Sequence, residues 1–118
     1  MTAADAFEGI LESYPANVQT LARAARSAIR QNAPTLAEEV DNAARVIGYG
    51  VGEGYTGLRC TIILSKGGVK IGFVGSASWP NQDGLLEGSG KRHKYVVIDS
   101  VERTRDVRVV RHIVRSAS

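Results

Sequence analysis

The chain predicts an α+β fold, with N-terminal helices and a C-terminal helix packed on one face of an antiparallel sheet. Three observations carry this. Apolar residues recur with helical period from Phe7 to Ile29, alternate with strand period through the middle, and return to helical period after Glu102. Helices, then a run of strands, then a helix place the helices together over one covered sheet face, and such a sheet shows alternating strands because its other face meets water.

The elements follow in order. Phe7, Ile10, Leu11 and Tyr14 stand at i, i+3, i+4 and i+7, which makes an amphipathic helix that ends near Pro15. Val18, Leu21, Ala22, Ala25 and Ile29 repeat the pattern in a second helix, with Arg23, Arg26 and Arg30 on its opposite side and Asn32-Ala33-Pro34 as its stop. Thr35, three residues before Glu38, reads as a capping box that opens a short helical piece before Asp41. A strand is expected over 44–47, and the glycines at 48, 50, 52, 54 and 57 read as a flexible loop. The clearest strand is 58–65, where Leu58, Cys60, Ile62 and Leu64 alternate with Arg59, Thr61, Ile63 and Ser65. Lys66-Gly67-Gly68 closes a hairpin onto a return strand at 69–74. Residues 76–90 read as an irregular loop with one helical turn near Leu85 to Glu87, and 94–99 as another strand. The last helix is expected over 102–115, with Val107, Val110 and Val114 on one face and Val109 and Ile113 beside them.

A chain of 118 residues fits a single domain over 1–118, since a core of this size buries roughly two thirds of the unfolded surface. Apolar residues are 43% and charged residues 23%, which disfavours disorder and low complexity. Cys60 stands alone, so no intrachain disulfide framework exists and a reducing, cytoplasmic setting is expected. Thr2, Ala3, Ala4, Asp5 and Glu8 after Met1 do not read as a signal peptide, and no apolar run approaches the roughly 20 residues that span a bilayer. Charge is polarised. Residues 1–58 carry seven acids against four arginines, whereas 59–118 carry eleven basic residues against five acids. The positive field of the second half suits anions, or simply serves to keep the chain in solution.

Three segments, Phe7-Glu8-Gly9-Ile10-Leu11-Glu12-Ser13-Tyr14-Pro15 with the helix after it, Ile47-Gly48-Tyr49-Gly50, and Leu85-Leu86-Glu87-Gly88-Ser89-Gly90-Lys91-Arg92, occur in an order that resembles the YdhG-like family, a domain of unknown function. The resemblance covers nearly the whole chain, and the third segment is its most specific part. It implies a frataxin-like fold and, since a member of the family is described as an iron chaperone, iron as a cofactor or cargo. Val51-Gly52-Glu53-Gly54-Tyr55 departs from the proline and aromatic that many members place there. Fold alone does not assign function.

The first candidate site is Gly88, Ser89, Gly90, Lys91 and Arg92, where glycines let backbone N–H groups converge and two cations add charge, as a phosphate or carboxylate would require. The spacing is not that of a Walker loop, and a structural turn is the commoner role of such glycines. Tyr49 and Trp79, with Tyr55 and Phe73, are candidate walls of a ligand pocket beside it, although aromatics of this kind more often belong to a core. Asp5, Glu8 and Glu12, with Glu38, Glu39 and Asp41 near them, form a carboxylate set that would suit iron, against the simpler role of a solvated helix face. His93 and His112 belong to no zinc-binding pattern, and Cys60 on its strand reads as a buried hydrophobe and not a nucleophile. The arginine-rich last helix lacks any nucleic-acid-binding signature, so nucleic acid is not expected. The leading expectation is a non-enzymatic binding module for a small anionic ligand, ahead of an iron-binding protein and of a protein-interaction domain working through the last helix.

Overall fold

The structure, a computed structural model, describes residues 2–52 and 55–118; the side chain of Tyr55 lies outside what it describes, as do the sequence expectations placed on Glu53 and Gly54. Three helices, α1 (Ala3–Leu11), α2 (Ala16–Asn32) and α3 (Val107–Ser116), lie on one face of a five-stranded antiparallel sheet. The strands β1 (Ala37–Asp41), β2 (Val46–Gly50), β3 (Leu58–Ser65), β4 (Gly68–Phe73) and β5 (Lys94–Ile98) are neighbours in chain order.

α1 starts where Thr2 and Asp5 form a reciprocal capping box, Thr2 N donating to Asp5 Oδ2 at 3.0 Å and Asp5 N to Thr2 Oγ1 at 3.1 Å. Its Phe7, Ile10 and Leu11 are buried, as the spacing predicts. α2 buries Val18, Ala22, Ala25, Ala28 and Ile29. The sheet contributes alternate residues to the same core: Ile47 and Tyr49, then Cys60, Ile62 and Leu64, then Val69, Ile71 and Phe73, then Val96 and Ile98.

Four local expectations are corrected. The piece expected to be helical after Thr35 is instead β1, because Val40 pairs with Ile47 and Glu38 with Tyr49, and both β1 residues turn toward the helices. Ala44 and Arg45 belong to the turn before β2, where Asp41 Oδ1 accepts from Ala44 N and Arg45 takes a φ of 60°. Gly48 and Gly50 lie inside β2 rather than in a loop, since a Cβ at Gly48 would stand 2.8 Å from Leu58 Cδ1 and one at Gly50 only 2.5 Å from the Gly57 carbonyl oxygen. At Gly50 the backbone of Gly57 passes too close for a side chain, whereas at Gly48 the near atom is the tip of the Leu58 side chain. The β3–β4 turn is Lys66-Gly67 alone, with Gly68 already paired to Ser65.

The helical turn expected near Leu85 to Glu87 does not form: Leu86 sits at a bend and Glu87 in a β-bridge. Asn81 clamps Leu86 through both amide atoms, Nδ2 donating to the carbonyl at 2.8 Å and Oδ1 accepting the N–H at 2.9 Å, while Glu87 bridges to Tyr95 on the outer edge of β5. The last helix is broken at Asp106, which caps α3 by accepting from Arg108 N at 2.9 Å after a short 3-10 turn, Glu102–Arg105. Its buried face is Val109, His112, Ile113 and Ser116, not the Val107, Val110 and Val114 stripe. Two stripes of helical period exist in this segment, and the one that faces the core contains a histidine and a serine.

Candidate functional site

Residues 88–92 link the Glu87 bridge to β5 and are held at both ends. Gly88 takes a φ of 113°, and a Cβ there would lie 2.9 Å from the Tyr95 ring. Its carbonyl oxygen accepts from Lys94 Nζ at 2.9 Å. A Cβ at Gly90 would stand 2.8 Å from the His93 carbonyl oxygen, so that glycine too is demanded by a tight fold of the chain. At the far end Ala77 N donates to Arg92 O, Gly75 N to His93 Nδ1, and Lys94 N to Ser76 Oγ, which itself donates to Phe73 O at 2.7 Å. The loop is therefore stapled to the turn that follows β4.

Ser89, Lys91 and Arg92 are exposed, and among the described residues the Lys91 and Arg92 side chains have no hydrogen-bond or ion-pair partner. Tyr95, against which Gly88 lies, points to the sheet face away from the helices, and Lys70 Nζ stands 4.3 Å from its ring centroid. Lys70, Lys94 and Tyr95 thus join the neighbourhood of the loop. Alternation along β4 and β5 hints at Lys70 and Tyr95, but only the register that pairs Gly72 with Tyr95 and Lys70 with Val97 brings them together.

The proposed walls are not there. Tyr49 is 1% exposed on the helix-facing side of β2, where its hydroxyl donates to Glu38 Oε2 at 2.6 Å. Arg26 donates to the same carboxylate with Nε at 2.8 Å and Nη2 at 2.9 Å, and its guanidinium lies 4.9 Å from the Phe7 ring centroid. Burial and the Glu38 charge push the Tyr49 hydroxyl pKa far upward. Trp79 is half-buried and its ring stacks on His112 at 5.7 Å, tilted against Phe73 at 5.5 Å. It follows Ala77 closely, yet its ring is committed to the core.

The carboxylate set is likewise dispersed. Asp5 is used by the α1 cap, which holds it below the ordinary carboxylate range, and Glu8 accepts from Arg23 Nε at 3.0 Å and Nη2 at 2.7 Å, which lowers it as well. Glu38 is taken by Arg26 and Tyr49. The described residues contain no group of three or more His, Cys, Asp and Glu able to hold a metal ion, so the expected iron set does not converge. Burial pushes the Cys60 thiol up to about 11 against an opposing hydrogen bond with Ser116, which leaves no reactive thiolate near neutrality. His112 is buried with Nδ1 lacking a hydrogen-bond partner among the described residues, and desolvation lowers its pKa.

A concavity of ≈ 950 Å³ lies at the other end of the sheet over Gly48 and Gly50, between Leu58 and the Glu39, Asp41 and Asn42 rim. Carboxylates at that rim repel anions, and Gly50 is already accounted for by the close pass of the Gly57 backbone. No helix among the described residues is long and apolar enough to cross a membrane. Comparison with known proteins finds no matching family model, no matching curated protein and no matching solved structure.

Proposed function

We propose that the protein is a binding module that holds a small anionic group, a phosphate or a carboxylate, at residues 88–92. The observation that carries this is the pair of exposed cations, Lys91 and Arg92, left without a side-chain partner among the described residues, on a loop whose ends are pinned by backbone and serine hydrogen bonds. A pinned loop loses little conformational freedom on binding, and two unpaired cations supply charge-assisted hydrogen bonds. Lys70 beside Tyr95 adds to the same positive field.

A binding role is favoured over catalysis because the groups best suited to chemistry, Tyr49, Cys60 and His112, are buried among structural neighbours. The resemblance to the YdhG-like family and a cytoplasmic setting belong to the same proposal. Its iron-handling branch is weaker, since Asp5, Glu8 and Glu12 serve separate local roles or face water. The test is a titration of the 15N-labelled chain with inorganic phosphate at constant ionic strength. Shifts concentrated at the amides of 88–92 and at Tyr95 are expected; saturable shifts confined to other regions would sink the assignment.

A further inference from the structure

Four large apolar side chains are exposed among the described residues, and two of them, Val107 at 64% and Val114 at 48%, lie on α3. With Val110 they stand at i, i+3 and i+7, one stripe of the helix. This stripe is opposite to or beside the buried Val109, His112, Ile113 and Ser116. Val110 is half-buried and lines a shallow groove with Ala24, Ala28 and Gln31 of α2 and with Arg105. Valine is a weak helix former, and one that faces water adds no core packing, so folding gives no reason for the stripe.

The charged side chains of α3 itself, Arg108, Arg111 and Arg115, are basic, whereas Glu102 and Asp106 precede it. Arg108 is committed to Asp106 at 2.7 Å and Arg103 lies 3.6 Å from Asp99, but Arg105 and Arg111 are exposed with no acidic partner among the described residues, and Arg115 lies over Trp79. Arg111 falls between Val107 and Val114, four residues after the first and three before the second. An apolar stripe bordered by uncompensated arginines is complementary to a surface with apolar residues along one side and carboxylates beside them.

We propose that the outer face of α3, with the α2–α3 groove, docks an acidic amphipathic helix of a partner protein, its apolar residues on Val107, Val110 and Val114 and its carboxylates on Arg105 and Arg111. A second copy of the chain does not fit: two α3 faces would set arginine against arginine, and the acidic helix α1 has its Phe7, Ile10 and Leu11 sealed in its own core. Nucleic acid would leave the valines uncovered, and a bilayer needs a wider apolar face than three valines. This surface stands independently of the 88–92 loop.

The test is a display selection against the full-length chain, using helical peptides that share one leucine stripe and differ in glutamate, glutamine or lysine flanks. Glutamate-flanked peptides are expected to be enriched, to shift the Val107, Val110 and Val114 methyl resonances, and to bind more weakly as salt rises. Val107→Glu with Val114→Glu should weaken them about tenfold or more, and Arg105→Glu with Arg111→Glu should turn the preference toward lysine flanks. All four positions are exposed, and circular dichroism checks that the variants stay folded. No enrichment, enrichment of neutral or basic flanks, or methyl shifts elsewhere overturns the proposal. So does self-association through this face in sedimentation, or binding to phosphatidylserine vesicles in place of the peptides.

Discussion

The Arg26–Glu38–Tyr49 cluster and the 88–92 loop use similar chemistry to opposite ends. In the first, a cation and a hydroxyl converge on one carboxylate whose side chain is only 7% exposed, and every charge is answered from within the chain. In the second, two cations stand on a pinned backbone with no carboxylate among the described residues to meet them. The lesson is that charge alone does not mark a site: the sealed cluster ties α2 to β1 and β2, and of these two regions the loop is the one with capacity left for something else.

The largest effect should come from breaking the sealed cluster. Glu38→Ala strips Arg26, only 18% of whose side chain is exposed, of the carboxylate that accepts its two hydrogen bonds, and should cost about 3–5 kcal/mol in urea unfolding. Tyr49→Phe removes one bond to a charged acceptor while the ion pair persists, and the same experiment should read about 1.5–3 kcal/mol. Should both variants prove neutral, the cluster would not be the tie that the geometry suggests.

His112 offers a third contrast, a buried polar group whose Nδ1 has no hydrogen-bond partner among the described residues. Desolvation holds its pKa below the ordinary value, with Asp83 favouring the charged form and Arg115 and Arg111 opposing it. Protonation therefore favours the unfolded chain: its contribution to stability is full above the unfolded pKa of about 6.5 and is lost as pH falls below that value. Melting temperature should drop between about pH 6.5 and 5, and His112→Phe, which keeps a ring against Trp79, should flatten that part of the profile. An unchanged slope would place the titration elsewhere.

The smallest effect on stability belongs to the loop. Lys91→Ala with Arg92→Ala should change unfolding free energy by no more than about 0.5 kcal/mol, because neither side chain holds the fold.

The helices and the central hairpin were legible in the residues because their burial follows one period: Phe7, Ile10 and Leu11 in α1, and Cys60, Ile62 and Leu64 in β3, are buried as their spacing predicts. β1 was missed because Glu38 faces the interior, a position that makes sense only once Arg26 and Tyr49 are across from it. Gly48 and Gly50 read as a loop because the reason for Gly50, the close pass of the Gly57 backbone, shows only once β2 and β3 are paired. On α3 two helical stripes compete, and the polar members His112 and Ser116 disguise the buried one. Of the candidate site, Gly88 to Arg92 could be read locally, whereas Lys70 and Tyr95 needed the β4–β5 register and Tyr49 needed its depth.

Thermal shift with inorganic phosphate, at fixed ionic strength and against chloride, tests the anion site most directly when the unaltered chain and the Lys91→Ala, Arg92→Ala variant are run together. Binding to the native state alone raises the melting temperature by mass action. A rise in the unaltered chain that the variant loses, from an equal starting stability, is the predicted result; an equal rise in both, or none in either, would contradict an anion site at residues 88–92.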